Sequence, residues 1–313
     1  MVGLITGFML AGLLFTGSGA HAGGSAAAYL DMGLGARGPG VGSAYAAAVD
    51  GADATFWNPA GLVWNPGIQL GSSLLPMSLD RFHSSISAAL NMRGDTAFGF
   101  AWIHAGAGDI QGRTGSGQPT GSINSGENAF LVSVAHAAGQ RLSLGATLKI
   151  LRHNLDVPGW NKAHATGHGF DVGLQFQLTE QVRLAAAARN LGASLDWTVR
   201  RSASQASRTT DDLQRTVLVA ASFRPRTPLL LLAEVARDAD IHASIGAEFT
   251  VNPMLTVRAG ARRLPGEDTT PEALCAGFTL RPMRTDTLLF HYTFLTDQLQ
   301  AGDRSVLGLS LTF

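Results

Sequence analysis

From Gly67 to Phe313 the chain is a succession of segments about nine to eleven residues long, each alternating apolar with small or polar side chains and each ended by turn residues. In an extended chain successive side chains point to opposite faces, so every such segment has one greasy face and one polar face. Leu142, Leu144, Ala146, Leu148 and Ile150 oppose Ser143, Gly145, Thr147 and Lys149, while Phe170, Val172, Leu174 and Phe176 oppose Asp171, Gly173, Gln175 and Gln177. At the C-terminus Leu307, Leu309, Leu311 and Phe313 oppose Val306, Gly308, Ser310 and Thr312. The pattern predicts strands at 67–75, 82–91, 95–104, 127–136, 140–150, 167–177, 181–190, 213–223, 228–236, 241–249, 254–262, 272–280, 286–294 and 304–313.

A half-buried β-sandwich shows the same period, so alternation alone does not decide between a soluble and a membrane protein. The connections do. Those at 92–94, 137–139, 178–180, 224–227, 250–253 and 281–285 are tight, whereas 105–126, 151–166 and 191–212, all on the other side, are long, polar and glycine-rich. Short turns on one rim and longer loops on the other mark an up-and-down antiparallel transmembrane β-barrel, apolar outside, with the short rim periplasmic. The expected fold is therefore all-β, a barrel of about 14 strands.

Composition agrees with that fold. Charged residues make up 15% of the chain and apolar residues 45%, against the roughly 25% charge of an ordinary soluble domain. The 23 basic and 23 acidic side chains balance, which gives no electrostatic reason to expect a nucleic acid partner. The apolar stretch from Val2 to Gly17, followed by Ala20-His21-Ala22, reads as a cleaved export signal over 1–22. After it no run of about 18 uncharged apolar residues appears, so strands are the expected membrane elements and outer-membrane lipid the expected surroundings. Cys275, the sole cysteine, sits in a strand-like run and reads as a buried, inert thiol.

The segment 23–66 is rich in glycine and alanine and precedes the strands. A barrel of this girth is too wide for its own side chains to fill, and 23–66 is the available plug, leaving 67–313 as the barrel. The phasing turns Lys149, Asp171, Arg183, Arg189, Glu234, Glu248, Arg258 and Arg262 inward, as a solvated, ion-paired lumen requires.

Within the plug, Gly33-Leu34-Gly35-Ala36-Arg37-Gly38-Pro39-Gly40-Val41-Gly42 leads through Asp50-Gly51-Ala52-Asp53 to Phe56-Trp57-Asn58-Pro59-Ala60-Gly61-Leu62. Asn58 suits a helix N-cap and Pro59 the first helical position; Gly61 would end so short a helix, and Trp57 and Leu62 would anchor it against the wall. These motifs, with Gly35, Arg37, Gly42, Asp53 and the Trp57–Leu62 box at their centre, resemble the N-terminal signature of the PorV/PorQ family within the FadL-like outer-membrane superfamily. The resemblance is specific over 30–62. The terminal Phe313 also resembles the signal by which outer-membrane barrels are recognised for assembly.

Other chemistry finds little support. Gly33 to Gly38 satisfies G-x-G-x-x-G, but Pro39 follows where a helix should open and no βαβ unit surrounds it, so no cofactor site is expected. His153, His164 and His168 match no closed metal pattern and read as solvated loop residues, as do Asp211, Asp212, Asp238 and Asp240. No catalytic constellation is spaced out along the chain, and no enzyme is expected.

Two functions remain. The PorV/PorQ resemblance implies an accessory, docking or shuttle component that receives secreted or surface proteins, with a secretion channel or its cargo as partner in a type IX-like pathway. The wider superfamily implies instead passage of hydrophobic small molecules through a plugged barrel. The polar Ile110–Gln118 loop favours protein contact, while Leu155–Trp160 is apolar enough to hold a ligand.

Overall fold

In the computed structural model, which describes residues 26–91, 95–157, 163–202, 205–264, 273–282, 287–296 and 303–313, the alternating segments close into a barrel. Its strands are β1 (Gly67–Met77), β2 (Arg81–Asn91), β3 (Thr96–Arg113), β4 (Pro119–Ala138), β5 (Leu142–Asp156), β6 (Ala163–Gln177), β7 (Val182–Ser202), β8 (Gln205–Asp212), β9 (Thr216–Arg226), β10 (Leu229–Arg237), β11 (Ile241–Asn252), β12 (Leu255–Leu264), β13 (Ala273–Leu280), β14 (Leu288–Leu295) and β15 (Arg304–Thr312). Each pairs antiparallel with its neighbours, and β1 closes on β15 through a register from Gln69↔Thr312 to Leu74↔Leu307. The expected signal segment, 1–22, lies outside the described residues.

Fifteen strands make fourteen staves. β7 pairs with β9 from Val182↔Phe223 to Arg189↔Thr216, and with β8 from Ser194↔Asp212 upward, so β8 and β9 are one stave interrupted at 213–215. The predicted strand 213–223 therefore begins at Thr216. The cause lies across the seam: Asn190 and Gly192 both take φ of 58°, a bulge that throws β7 out of step and leaves Leu213 N–H donating to Ala193 O at 2.9 Å.

Parity sets the two faces. Outward positions carry a band of exposed apolar side chains, among them Leu70, Ile86, Phe100, Val132, Leu148, Phe170, Val172, Ile245 and Leu309. Closure gives each stave a partner on both sides within the apolar band, so hydrocarbon meets no unsatisfied strand backbone. Among the described residues no helix is long and apolar enough to cross a membrane.

The long connections differ most from expectation. Residues 105–126, 151–166 and 191–212, read as polar loops, are mostly continuations of β3 to β8 beyond the apolar band. Outside hydrocarbon a strand needs no greasy face, so the lipid-facing alternation that reveals a strand fades while the backbone pairing continues. One side of the barrel, β3 to β8, thus stands taller than the rest.

Residues 26–66 lie inside the barrel in short helical turns, Ala28–Met32, Arg37–Gly40, Gly51–Asp53, Ala54–Trp57 and Pro59–Trp64. The chain enters β1 at the short-turn rim, where Ile68 and Phe313 exchange backbone hydrogen bonds of 3.3 and 2.9 Å. Its first described residues sit at the other end of the lumen, beside Leu213 and Asp238.

Candidate functional site

The plug is joined to the wall by side chains of both. Asn58 caps the Pro59–Trp64 turn by accepting from Ala60 N at 3.2 Å, with Pro59 at the first position. Its amide also donates to Ala46 O at 3.2 Å and to Leu174 O on β6 at 3.1 Å. Gly61 does not end this turn, which continues to Trp64. A Cβ on Gly61 would stand 2.4 Å from Val49 O, so the glycine serves a close approach of two plug segments.

Trp57 ties the plug to itself and, through Arg189 on β7, to the wall. Its indole N–H donates to Leu34 O at 2.9 Å, and Gly33 and Gly38 lie against its ring. Leu62 does reach the wall, at Gly99, and Ala60 is fully buried. Gly42, with φ of 68°, passes so near β11 and β12 that a Cβ would meet Ala261 O and Ile245 O at 2.5 and 2.6 Å. Its N–H points to the Cys275 thiol at 3.1 Å. Gly35 leaves room for Asp53, whose carboxylate accepts from Ser87 at 3.4 Å. Burial raises the Asp53 carboxyl to about 7, against the pull of Arg37.

All eight charges assigned to the lumen face inward, in distinct roles. Arg37 grips Glu248 with two bonds, Arg258 lies 3.5 Å from the same carboxylate, and Asp50 is 3.6 Å from Arg37. Lys149 pairs with Asp171 at 2.9 Å and donates to Asn190 Oδ1 at 2.7 Å, while Asp171 accepts from Asn190 N at 2.9 Å, which holds the β7 bulge. Arg189 donates to Trp57 O and covers the Phe56 and Trp57 rings; Arg183 lies over Trp64 at 4.7 Å. Glu234 accepts from Ala46 N at 3.2 Å, and Arg262 borders a small polar cavity between plug and wall.

Several residues of the lumen escaped the sequence reading. His153 is not a solvated loop residue: it is 2% exposed on β5, with Tyr29 hydroxyl at 3.4 Å and Glu127 at 3.7 Å. His164 and His168 do lie on the exposed face of β6. Asp238, expected in solvent, has a side chain only 8% exposed and accepts from Arg263. Gln175 donates to Ala46 O and Val49 O at 2.8 and 3.1 Å, and shares the parity of Asp171, which was the available signal. Among the described residues no three His, Cys, Asp or Glu side chains gather as metal ligands.

The lumen has two sectors. Inward positions of β10 to β15 carry Glu234, Glu248, Arg258, Thr279 and Thr293 beside the apolar Leu230, Leu232, Cys275, Leu295 and Val306. Those of β3 to β7 in the outer half carry Ile103, Ala105, Ala129, Leu131, Leu151, Ala165 and Leu195, which form one apolar cluster with Leu213 and with Tyr29 and Leu30 of the plug; Trp197 packs against it. A polar cavity of about 80 Å³ lies between plug and wall where the sectors meet.

No family model and no curated protein sequence matches the chain. Solved structures do. The Pseudomonas putida toluene transporter TodX is similar over 90% of this chain and 99% of its own, at 14% identity and a TM-score of 0.66. The CymD monoaromatic hydrocarbon channel is similar over 90% and 98%, at 15% identity and 0.62, and a Pseudomonas aeruginosa FadL homologue over 90% and 98%, at 12% and 0.61. These likenesses carry the FadL part of the expected resemblance and give no support to its PorV/PorQ part. The chain is a closed antiparallel barrel of fourteen staves, similar in fold to FadL-family outer-membrane barrels.

Proposed function

We propose that the protein passes hydrophobic small molecules across the outer membrane. The observation that carries this reading is the apolar outer sector of the lumen. A water-filled pore for polar solutes has no use for Ile103, Leu131, Leu151, Leu195, Leu213 and Trp197 packed together against Tyr29 and Leu30 of its plug, whereas a site for an apolar solute draws on such a lining. The structural neighbours named as hydrocarbon transporters add support at the level of fold. The plug keeps the lumen closed to ions, and its polar contacts reform after a solute has passed.

The test is uptake of radiolabelled toluene by cells whose outer membrane carries this protein, set against cells without it. Uptake above that background is expected, and Leu195→Asp, which puts a charge into the apolar sector, removes the excess. Uptake equal to the background in cells with folded protein contradicts the reading.

A second reading, docking of a secreted or surface protein, draws on the tall polar hairpins of β3 to β8, which offer paired backbone and hydrophilic side chains outside the membrane. Copurification from solubilised outer membrane separates the two: a stoichiometric protein partner favours docking, and bound hydrocarbon without one favours transport.

A further inference from the structure

One polar arrangement stands inside the apolar outer sector. His153, on the inward face of β5 and 2% exposed, turns Nε2 to the hydroxyl of Tyr29 at 3.4 Å, while its Nδ1 lies 3.7 Å from Oε1 of Glu127 on β4. Tyr29, in the first turn of the plug, is 3% exposed and belongs to the same cluster as Ile103, Leu131, Leu151 and Leu195. Its ring meets the His153 ring edge-on at 5.3 Å, and His153 meets Trp197 edge-on at 6.0 Å.

Anchoring the plug does not require this chemistry. A phenylalanine among these aliphatic neighbours would hold the turn by its apolar area, with no imidazole to take out of water. The wall instead supplies an oriented acceptor. Burial favours the neutral ring, and with Nδ1–H toward the Glu127 carboxylate, Nε2 carries the lone pair to which a hydroxyl donates. A second imidazole, His83 on β2, is 3% exposed, stands in register with Ala105 of the same cluster and lies by the Tyr29 backbone. Its Nε2 makes no hydrogen bond. Two buried imidazoles thus stand at the place held by one phenol ring, and one of them has bonding capacity left over.

The side chain of Tyr29 is p-cresol joined to the backbone through its methyl carbon. Resting on the transport reading, we propose that the apolar sector is a site for single-ring phenols, which Tyr29 occupies in the closed barrel and yields to a free phenol of the same shape. The solute then takes over the aliphatic lining and the hydrogen bond to His153, and His83 Nε2 serves a second polar substituent. A ring without a hydroxyl fills the lining but leaves His153 Nε2 unpaired, so the hydroxyl is what the site selects.

The experiment compares uptake of radiolabelled p-cresol and toluene, each above the background of cells without the protein, with folding checked by heat-modifiable mobility. The parent is expected to take up p-cresol about tenfold faster than toluene at equal low concentration. His153→Leu abolishes that preference while toluene still enters, and His153→Gln, which keeps an acceptor, retains it. Tyr29→Phe, which fills the site without using the acceptor, lowers the p-cresol concentration needed for half-maximal uptake, and this variant carries the test if His153→Leu does not fold. A purely structural role for either residue would change the amount of folded protein and neither of these readouts. Equal uptake of both solutes by the parent, a preference that survives His153→Leu, or a half-saturation unmoved in Tyr29→Phe overturns the phenol site and leaves the transport reading standing. Folded parent that carries neither solute overturns the transport reading itself.

Discussion

Arg37 on the plug and Glu248 on β11 face each other through two parallel bonds, Nε to Oε1 and Nη2 to Oε2, each 2.8 Å, and Arg258 stands behind them on β12. The two ends of this pair are not equivalent. Removing Arg37 leaves Glu248 with Arg258, whereas removing Glu248 leaves Arg258 beside a second cation whose one remaining carboxylate is Asp50, 3.6 Å away on the plug. Glu248→Ala is expected to cost about 3–5 kcal/mol of folding stability and Arg37→Ala clearly less. Urea unfolding in lipid vesicles reads both, and equal losses would refute the asymmetry.

Asn58 serves three backbone groups, one as acceptor and two as donor. Asn58→Ala orphans them at a fully buried site, and a loss of about 2 kcal/mol is expected from the cap and the buried carbonyls combined. Asn58→Asp keeps the cap but cannot donate, so its loss should fall on the plug, measured as faster proteolysis within 26–66 before the barrel unfolds.

Asp53 ties plug stability to pH. Its carboxyl is raised from 3.8 to about 7 by burial, so the folded plug favours the protonated form. That contribution is fully present below about 4 and is lost as pH rises through about 7. Asp53→Asn removes the titration, so the variant's melting temperature should gain on the parent's between pH 4 and pH 8. A constant difference across that range would contradict the assignment.

On the outer face depth should matter. Val172 lies mid-strand in the apolar band and Phe176 beside the short-turn rim. Val172→Arg is expected to cost about 2–4 kcal/mol and Phe176→Arg about 0–1 kcal/mol, in the same vesicle unfolding assay. The reverse order would mean that the band has been placed at the wrong height.

The barrel was legible because hydrocarbon imposes a period on each membrane stave, so Leu142 to Ile150 and Phe170 to Phe176 revealed both their strands and their inward partners. Lys149 and Asp171 followed from parity alone. What stayed hidden lacked that constraint. The outer extensions of β3 to β8 pair through backbone with no lipid to enforce alternation, and His153 was misplaced with them. The β7 bulge shifts the register with β6 by two residues, so Arg189 and Leu195 keep the same parity and alternation revealed neither the split stave nor the inward turn of Leu213. Gly61 read as a helix stop because its role depends on Val49, distant in the chain and adjacent in space.

The most direct test of a hydrocarbon path through the lumen is a crystal structure of the protein with bromobenzene, located by the anomalous scattering of bromine. A bromine peak inside the barrel, against Leu195 and Trp197 above the plug, is the expected result. Bromine found only among the lipid-facing side chains, with the apolar sector unchanged and empty of it, would contradict the account.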